Sequence, residues 1–275
     1  MSSLRNWLIL SVITALPLLS KGADQPSPTP SIAPLTPDET KKATLVDTLS
    51  VPTPGEFFAA IDKGGKPSWS SQYRPPTSIS STDRAQMALN LGTLIADGYI
   101  AVEAEDGQQV KNIGRDVLEL AKKLSVSDSI IARGKSISQF AETGEWNQLN
   151  EELEETENEV SKALEDNRDS DLITLVSIGG WIRGTEVVTG LIADNYNADA
   201  ARLLRQPALV EYLRSKLDKL PARLSQNALI TKLNSQLKGI ASMVSFPADH
   251  TPTVEEVKAL NQASANLIKD ISSAQ

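Results

Sequence analysis

Leu172-Ile-Thr-Leu-Val-Ser-Ile-Gly-Gly-Trp-Ile-Arg-Gly-Thr-Glu-Val-Val-Thr-Gly-Leu-Ile-Ala193 is apolar nearly all the way round. A helix at a protein surface keeps one polar face, so a helix without one is enclosed by neighbours on several sides. Arg183 and Glu186 are the only charges between Asp171 and Asp194. Residues 85–102 read the same way. Both segments carry small residues four apart, Gly92 with Ala96 and Gly180 with Gly184. A glycine inside a helix costs roughly 1 kcal/mol against alanine. A chain that accepts this repeatedly gains close backbone approach, so the two helices are expected at the centre, crossing near their glycines. Leu94-Ile-Ala-Asp-Gly-Tyr99 and Leu191-Ile-Ala-Asp-Asn-Tyr196 match briefly. Their flanks do not extend the match, which reads as chance.

Working outward, the rest of residues 82–273 is half-apolar helix. Thr82 is expected to cap a helix to about Glu105, ended by Asp106-Gly107. Val110, Ile113, Val117, Leu120 and Leu124 form one stripe at three- and four-residue steps. Ser127 opens a third helix that stops at Thr143-Gly144. Trp146, Leu149, Leu153, Thr156 and Val160 stripe a fourth, whose other faces carry glutamates from Glu151 to Glu165. That acidic run reads as a solvated face. Ser170 opens the fifth, shorter helices fit 198–204, 207–219 and 222–244, and Thr253 caps a last one to about Ile271. No stretch alternates apolar and polar residues as a half-buried strand would. No period of 30–50 residues marks a solenoid. The expected fold is all-α, an antiparallel multi-helix bundle with two buried central helices.

Ahead of the bundle, residues 1–22 read as a signal peptide. Arg5 supplies the positive end, Trp7 to Leu19 the short apolar core, and Ser20-Lys21-Gly22 the small residues that precede cleavage before Ala23. The apolar run is shorter than the roughly 20 residues that span a bilayer, so no transmembrane segment is expected in the mature chain. Residues 23–35 are a Pro-rich linker. Residues 36–81 should hold two short helices and a long loop. Thr36-Pro-Asp-Glu39 and Thr53-Pro-Gly-Glu56 are the N-terminal signatures of those helices. Trp69 and Tyr73 would anchor the loop to the bundle.

Composition removes whole classes of function. The 275 residues carry a net charge of −8 with no Lys/Arg cluster, against a nucleic-acid partner or an anionic membrane surface. There is no cysteine, hence no disulfide, thiol nucleophile or thiolate metal site. One histidine, His250, excludes sites that need two imidazoles; it sits in a polar, Pro-flanked loop and reads as solvated. Gly134-Lys-Ser136 lacks the glycine five positions earlier that a phosphate loop needs, and Ser129 stands there. The Asp166, Asp169, Asp171 and Asn195, Asn197, Asp199 series lack the Gly and Glu of a calcium loop and read as caps. No metal site and no cofactor are expected.

What remains is charge on apolar helices. Burying a charge costs several kcal/mol unless it is paired, so Arg183 should find a carboxylate: Glu186 at i+3, or Asp97 or Glu103 across the crossing. Either the pair simply fixes register, or Asp97, Tyr99, Trp181, Arg183 and Glu186 surround a ligand pocket whose anion Arg183 receives. A hydrolase or lyase using Asp97, Glu103 or Glu186 beside Arg183 is the catalytic alternative.

Ala88-Leu-Asn-Leu-Gly-Thr-Leu-Ile-Ala-Asp-Gly98 and Gly179-Gly-Trp-Ile-Arg-Gly184 resemble segments of exported all-helical bacterial proteins. In those proteins Leu-Gly-x-x-x-Ala-Asp opens the domain and Gly-x-Trp-x-x-Gly lies on a later central helix. The resemblance implies a helical domain outside the cytoplasm and brings no activity with it. The expectation is therefore a periplasmic or secreted, non-catalytic module that binds an envelope protein or a small ligand. Mass spectrometry of the exported chain should find its N-terminus at Ala23; an exported chain that begins at Met1 would refute the leader.

Overall fold

A computed structural model describes residues 44–46, 49–51, 58, 61, 67–76 and 81–273. The expected leader, the Pro-rich linker and the helix start at Thr36 lie outside the described residues.

Two helices set the frame, α1 (Arg84–Glu103) and α5 (Ser170–Asp194). Their lack of a polar face has the expected result: 17 of the 20 residues of α1 are buried, and burial in α5 likewise runs round all its faces. The cap of α1 is Asp83 rather than Thr82; its carboxylate accepts from the amides of Ala85 and Gln86. The two helices share the most extensive contact among the described elements. At its centre backbone meets backbone. A Cβ built on Gly92 would overlap the carbonyl oxygen of Val176 and lie 2.7 Å from the amide nitrogen of Gly180. A Cβ on Gly179 would overlap the carbonyl oxygen of Leu89 and lie 2.9 Å from its carbon. The notch on α5 is therefore Gly179 with the backbone of Gly180, where the four-residue spacing points to Gly180 and Gly184. Spacing fixes which residues share a face, not which face turns to the partner.

The other helices wrap this pair. α2 (Gly107–Leu124), α3 (Ser127–Thr143) and α4 (Trp146–Asp166) return along α1 through short turns, which makes successive helices antiparallel. Gly144 ends α3 at φ +73°, a conformation that favours glycine. On the other side, α10 (Val254–Ser272) packs on α5, with α9 (Ala228–Val244) and α7 (Pro207–Asp218) beyond it. Short helices α6 (Ala198–Arg202) and α8 (Ala222–Ser225) complete the order. The single helix expected over 222–244 is split, because Asn227 turns its side chain back to cap Leu229 and Ile230. Thr253 and Glu256 form a reciprocal capping box on α10. The Thr253 amide, helped by His250, holds the Glu256 carboxyl below the usual range.

Two expectations need correction. Thr44–Val46 (β1) and Leu49–Val51 (β2) pair antiparallel, Leu45 opposite Ser50, in a region expected to be helix and loop. Strands of three residues are too short to show a period. β2 touches α7 (Pro207–Asp218), and the bundle itself is all-helical. The acidic face of α4 is also more than solvated. Arg133 of α3 reaches it, donating to Glu159 at 2.8 Å and Glu152 at 3.2 Å. The hydrogen bond from Arg133 pulls the Glu159 carboxyl below its ordinary value against the opposing effect of burial.

The loop before α1 is anchored as expected. Trp69–Gln72 form a 3-10 turn, and the Trp69 ring packs tilted against Phe58, centroids 5.1 Å apart; Phe58 is helical and fully buried, and Ile61 is buried too. Two buried amides do a different job. Gln86 and Asn90 of α1 donate to the carbonyl of Ile271 at 3.0 and 2.8 Å, capping the end of α10.

Gly92→Ala and Gly179→Ala should each cost about 3 kcal/mol in urea unfolding, the upper end of core overpacking. Gly239→Ala, where a Cβ meets nothing within 4 Å, should be neutral or up to about 1 kcal/mol stabilising. Equal midpoints for Gly92→Ala and the unaltered chain would refute the backbone contact.

Candidate functional site: an ion cluster and the groove beside it

The crossing dictates what faces what. Asp97 lies five residues beyond Gly92 and Arg183 four beyond Gly179, so the turn after the contact brings the two side chains together. Arg183 is 3% exposed and Asp97 8%. Arg183 Nε donates to Asp97 Oδ1 at 2.8 Å, its Nη1 to Glu186 Oε2 at 2.7 Å, and its Nη2 to the Gln72 carbonyl at 2.5 Å. A second guanidinium closes the set from the loop. Arg74 Nε donates to Asp97 Oδ2 at 2.7 Å, and its Nη2 to Thr93 Oγ1 at 2.8 Å.

Two cations and two anions thus meet at one place, Arg183 and Asp97 buried and Arg74 and Glu186 half-buried, and cancel. Burial works to deprotonate Arg183, but Asp97 and Glu186 outweigh it and hold the guanidinium charged above its ordinary value. Each buried ion would cost several kcal/mol alone. Here every one has a hydrogen-bonded counter-ion. The arrangement also locks the 67–76 strap onto α1 and α5, through the Gln72 carbonyl and Arg74.

Of the five expected site residues, Asp97, Arg183 and Glu186 come together, and Tyr99 and Trp181 do not join them. Each aromatic lies two residues from its charged neighbour, about 200° round a helix. Tyr99 is fully buried on the wall of a separate apolar slot. The Trp181 indole donates to Gln206 Oε1 at 3.0 Å. Arg74 and Gln72 are the residues that helical periodicity missed. They lie in a loop, where no period exists to place them, and only the anchors Trp69 and Tyr73 hint that the loop lies on the bundle.

Beside the cluster runs a groove of about 390 Å³ between the strap, α1 and α2. Its polar wall is Arg74, Asp97, Gln109, Asn112, Arg115 and Asp116; Leu94 and Ile113 are its apolar side. Arg115 Nη2 donates to Asn112 Oδ1 at 2.5 Å. Burial raises the Asp116 carboxyl above its ordinary value, Arg115 opposes the rise, and Glu119 adds to it. Burial, with Asp106 alongside, likewise raises the Tyr73 hydroxyl. Arg74 Nη1 is buried and has no acceptor among the described residues.

His250 lies apart from both features, its Nε2 3.0 Å from Glu256 Oε2 and its ring edge-on to Phe246. Among the described residues no group of three or more His, Cys, Asp or Glu is placed to hold a metal ion. Comparison with family models, with curated proteins and with solved structures gives no match.

Arg183→Met should destabilise the protein by about 3 kcal/mol, the cost of breaking a buried pair from one side, and should loosen the strap as well. Urea unfolding gives the first effect and limited proteolysis within 67–76 the second. A loss under about 1 kcal/mol, the worth of a surface pair, would show the cluster to be peripheral.

Proposed function

We propose that this protein is an exported, non-catalytic binding module that takes a small ligand with an anionic or acceptor group in the groove beside the ion cluster. One observation carries the reading. Arg74 is held rigid by Asp97 and Thr93, forms the groove's inner wall, and keeps Nη1 buried without an acceptor. A buried charged donor left unsatisfied costs about 1–3 kcal/mol or more, and a ligand oxygen that reached Nη1 by a small shift of the Arg74 side chain would offset that. Arg115 stands on the same groove as a second fork suited to carboxylates.

The non-catalytic reading is supported by how the carboxylates of the ion cluster are used. A general acid or base must exchange its proton with the substrate. Both oxygens of Asp97 accept from guanidinium groups, Glu186 Oε2 accepts from Arg183, and Glu103 does not line the groove. Export rests on the leader-like residues 1–22, and no helix among the described residues is long and apolar enough to cross a membrane.

Thermal unfolding with acetate, butanoate, succinate and citrate at constant ionic strength tests the groove. A binder at a hundredfold its Kd adds about 2.7 kcal/mol, a rise on the order of 5–10 °C for a chain of this size. Arg115→Glu should abolish the rise without moving the apo midpoint. No saturable rise with any of the four, or a rise unchanged by Arg115→Glu, would overturn the reading.

A further inference from the structure

The groove has a neighbour of opposite character. Between α1, α2, α3 and α4 lies a slot of about 70 Å³ whose walls are almost wholly apolar, among them Leu91, Ile95, Tyr99, Val117, Ile137 and Val160. Leu94 and Ile113 line both cavities, so the slot and the groove are two sides of the same pair of side chains. Glycines open the slot. Gly98, buried, stands on its wall, and a Cβ there would meet only Ile113 Cγ2 at 3.9 Å; Gly114, exposed, stands at its outer edge, where a Cβ would meet nothing within 4 Å. Alanine would favour the helix at both positions, and space forbids it at neither. Gly98 therefore leaves room that a well-packed core would fill.

We propose that the ligand is a single-chain amphiphile, its carboxylate head held by Arg74 and Arg115 in the groove and its aliphatic tail in the slot behind Leu94 and Ile113. This rests on the groove being the binding site. A dry apolar cavity takes apolar molecules, and an engineered one of about 150 Å³ admits benzene; the slot, at roughly half that size, suits a few carbons of one chain and not a second chain or a protein side. The head is an anion because the charges of the wall are unequally available. Asp97 is neutralised by Arg74 and Arg183, Arg74 keeps Nη1 without an acceptor among the described residues, and Arg115, which donates to the neutral Asn112, shares the wall with the one remaining carboxyl, Asp116, whose charged form burial disfavours. One nitrogen of Arg74, Nη1, and the guanidinium of Arg115 remain for one carboxylate.

Isothermal titration of the full chain with butanoate, hexanoate and octanoate tests the tail. Each methylene that enters the slot should tighten binding about fourfold, so octanoate should exceed butanoate by on the order of a hundredfold. Gly98→Leu fills the slot from α1, and Gly114→Leu does so from α2 should the first variant fail to fold. In either one butanoate should bind as before, and the gain with chain length should vanish. Butanoate binding with no gain from longer chains overturns the tail and leaves the groove standing. A gain that survives both substitutions overturns the slot. No binding of any alkanoate overturns groove and tail together.

Discussion

The contact of α1 with α5 at Gly92 and Gly179 is the constraint on which the rest of the molecule depends. Backbone against backbone is the closest packing two helices can reach, and any side chain at either glycine would push them apart. Because the axes are so close, residues one turn further on are within hydrogen-bond reach of each other. Asp97 and Arg183 meet for that reason, not because either helix is locally unusual. The same proximity leaves room for neighbours on all the remaining sides, which is why neither helix keeps a polar face. The jacket helices need only one apolar stripe each, and that is what their sequences supply.

Polar groups inside such a core have to be accounted for one by one, since an unsatisfied one costs as much as a lost core contact. Most are used to tie elements together. Gln86 and Asn90 cap the carbonyl end of α10; Asn261 of α10 returns the favour, donating to the Glu186 carbonyl at 2.7 Å. Arg183 and Arg74 join the strap to the central pair. Arg84 pairs with Asp169 at 2.5 Å, linking the first turn of α1 to the start of α5. Arg74 Nη1 has no acceptor among the described residues, as is true of the buried Thr185 and Ser264 hydroxyls, and of these three residues only Arg74 lines the groove. Tension between a fully used cluster and one unused donor is what separates a structural staple from a binding wall.

Much of this was legible in the sequence, and the physical reason differs by element. Caps and breakers at Asp106-Gly107, Thr143-Gly144 and Thr253 with Glu256 give helix ends directly, and α2, α3, α4 and α10 follow. The near absence of charge between Asp171 and Asp194 shows enclosure. Arg183 with Asp97 and Glu186 was legible because a buried charge must be paired, which leaves few partners. The rotation of α5 was not, since Gly179, Gly180 and Gly184 are all small and only packing selects Gly179. Arg74 was not, because a loop residue carries no period. Asn227 splits a helix with a side chain that also tolerates helix interiors, and β1 and β2 are too short to announce themselves. Tyr99 and Trp181 stand two residues from Asp97 and Arg183, and on a helix that spacing places them on the opposite side.

The glycine contact is what positions the ion cluster. A double-mutant cycle of Asp97→Asn and Arg183→Met measures the coupling of that pair, first in the unaltered chain and then with Gly92→Ala present. Coupling on the order of 2–3 kcal/mol, as for close residues in one network, should fall to near zero once the helices are forced apart. Coupling that is the same in both backgrounds would mean that Asp97 and Arg183 find each other without the crossing, and the central claim would be wrong.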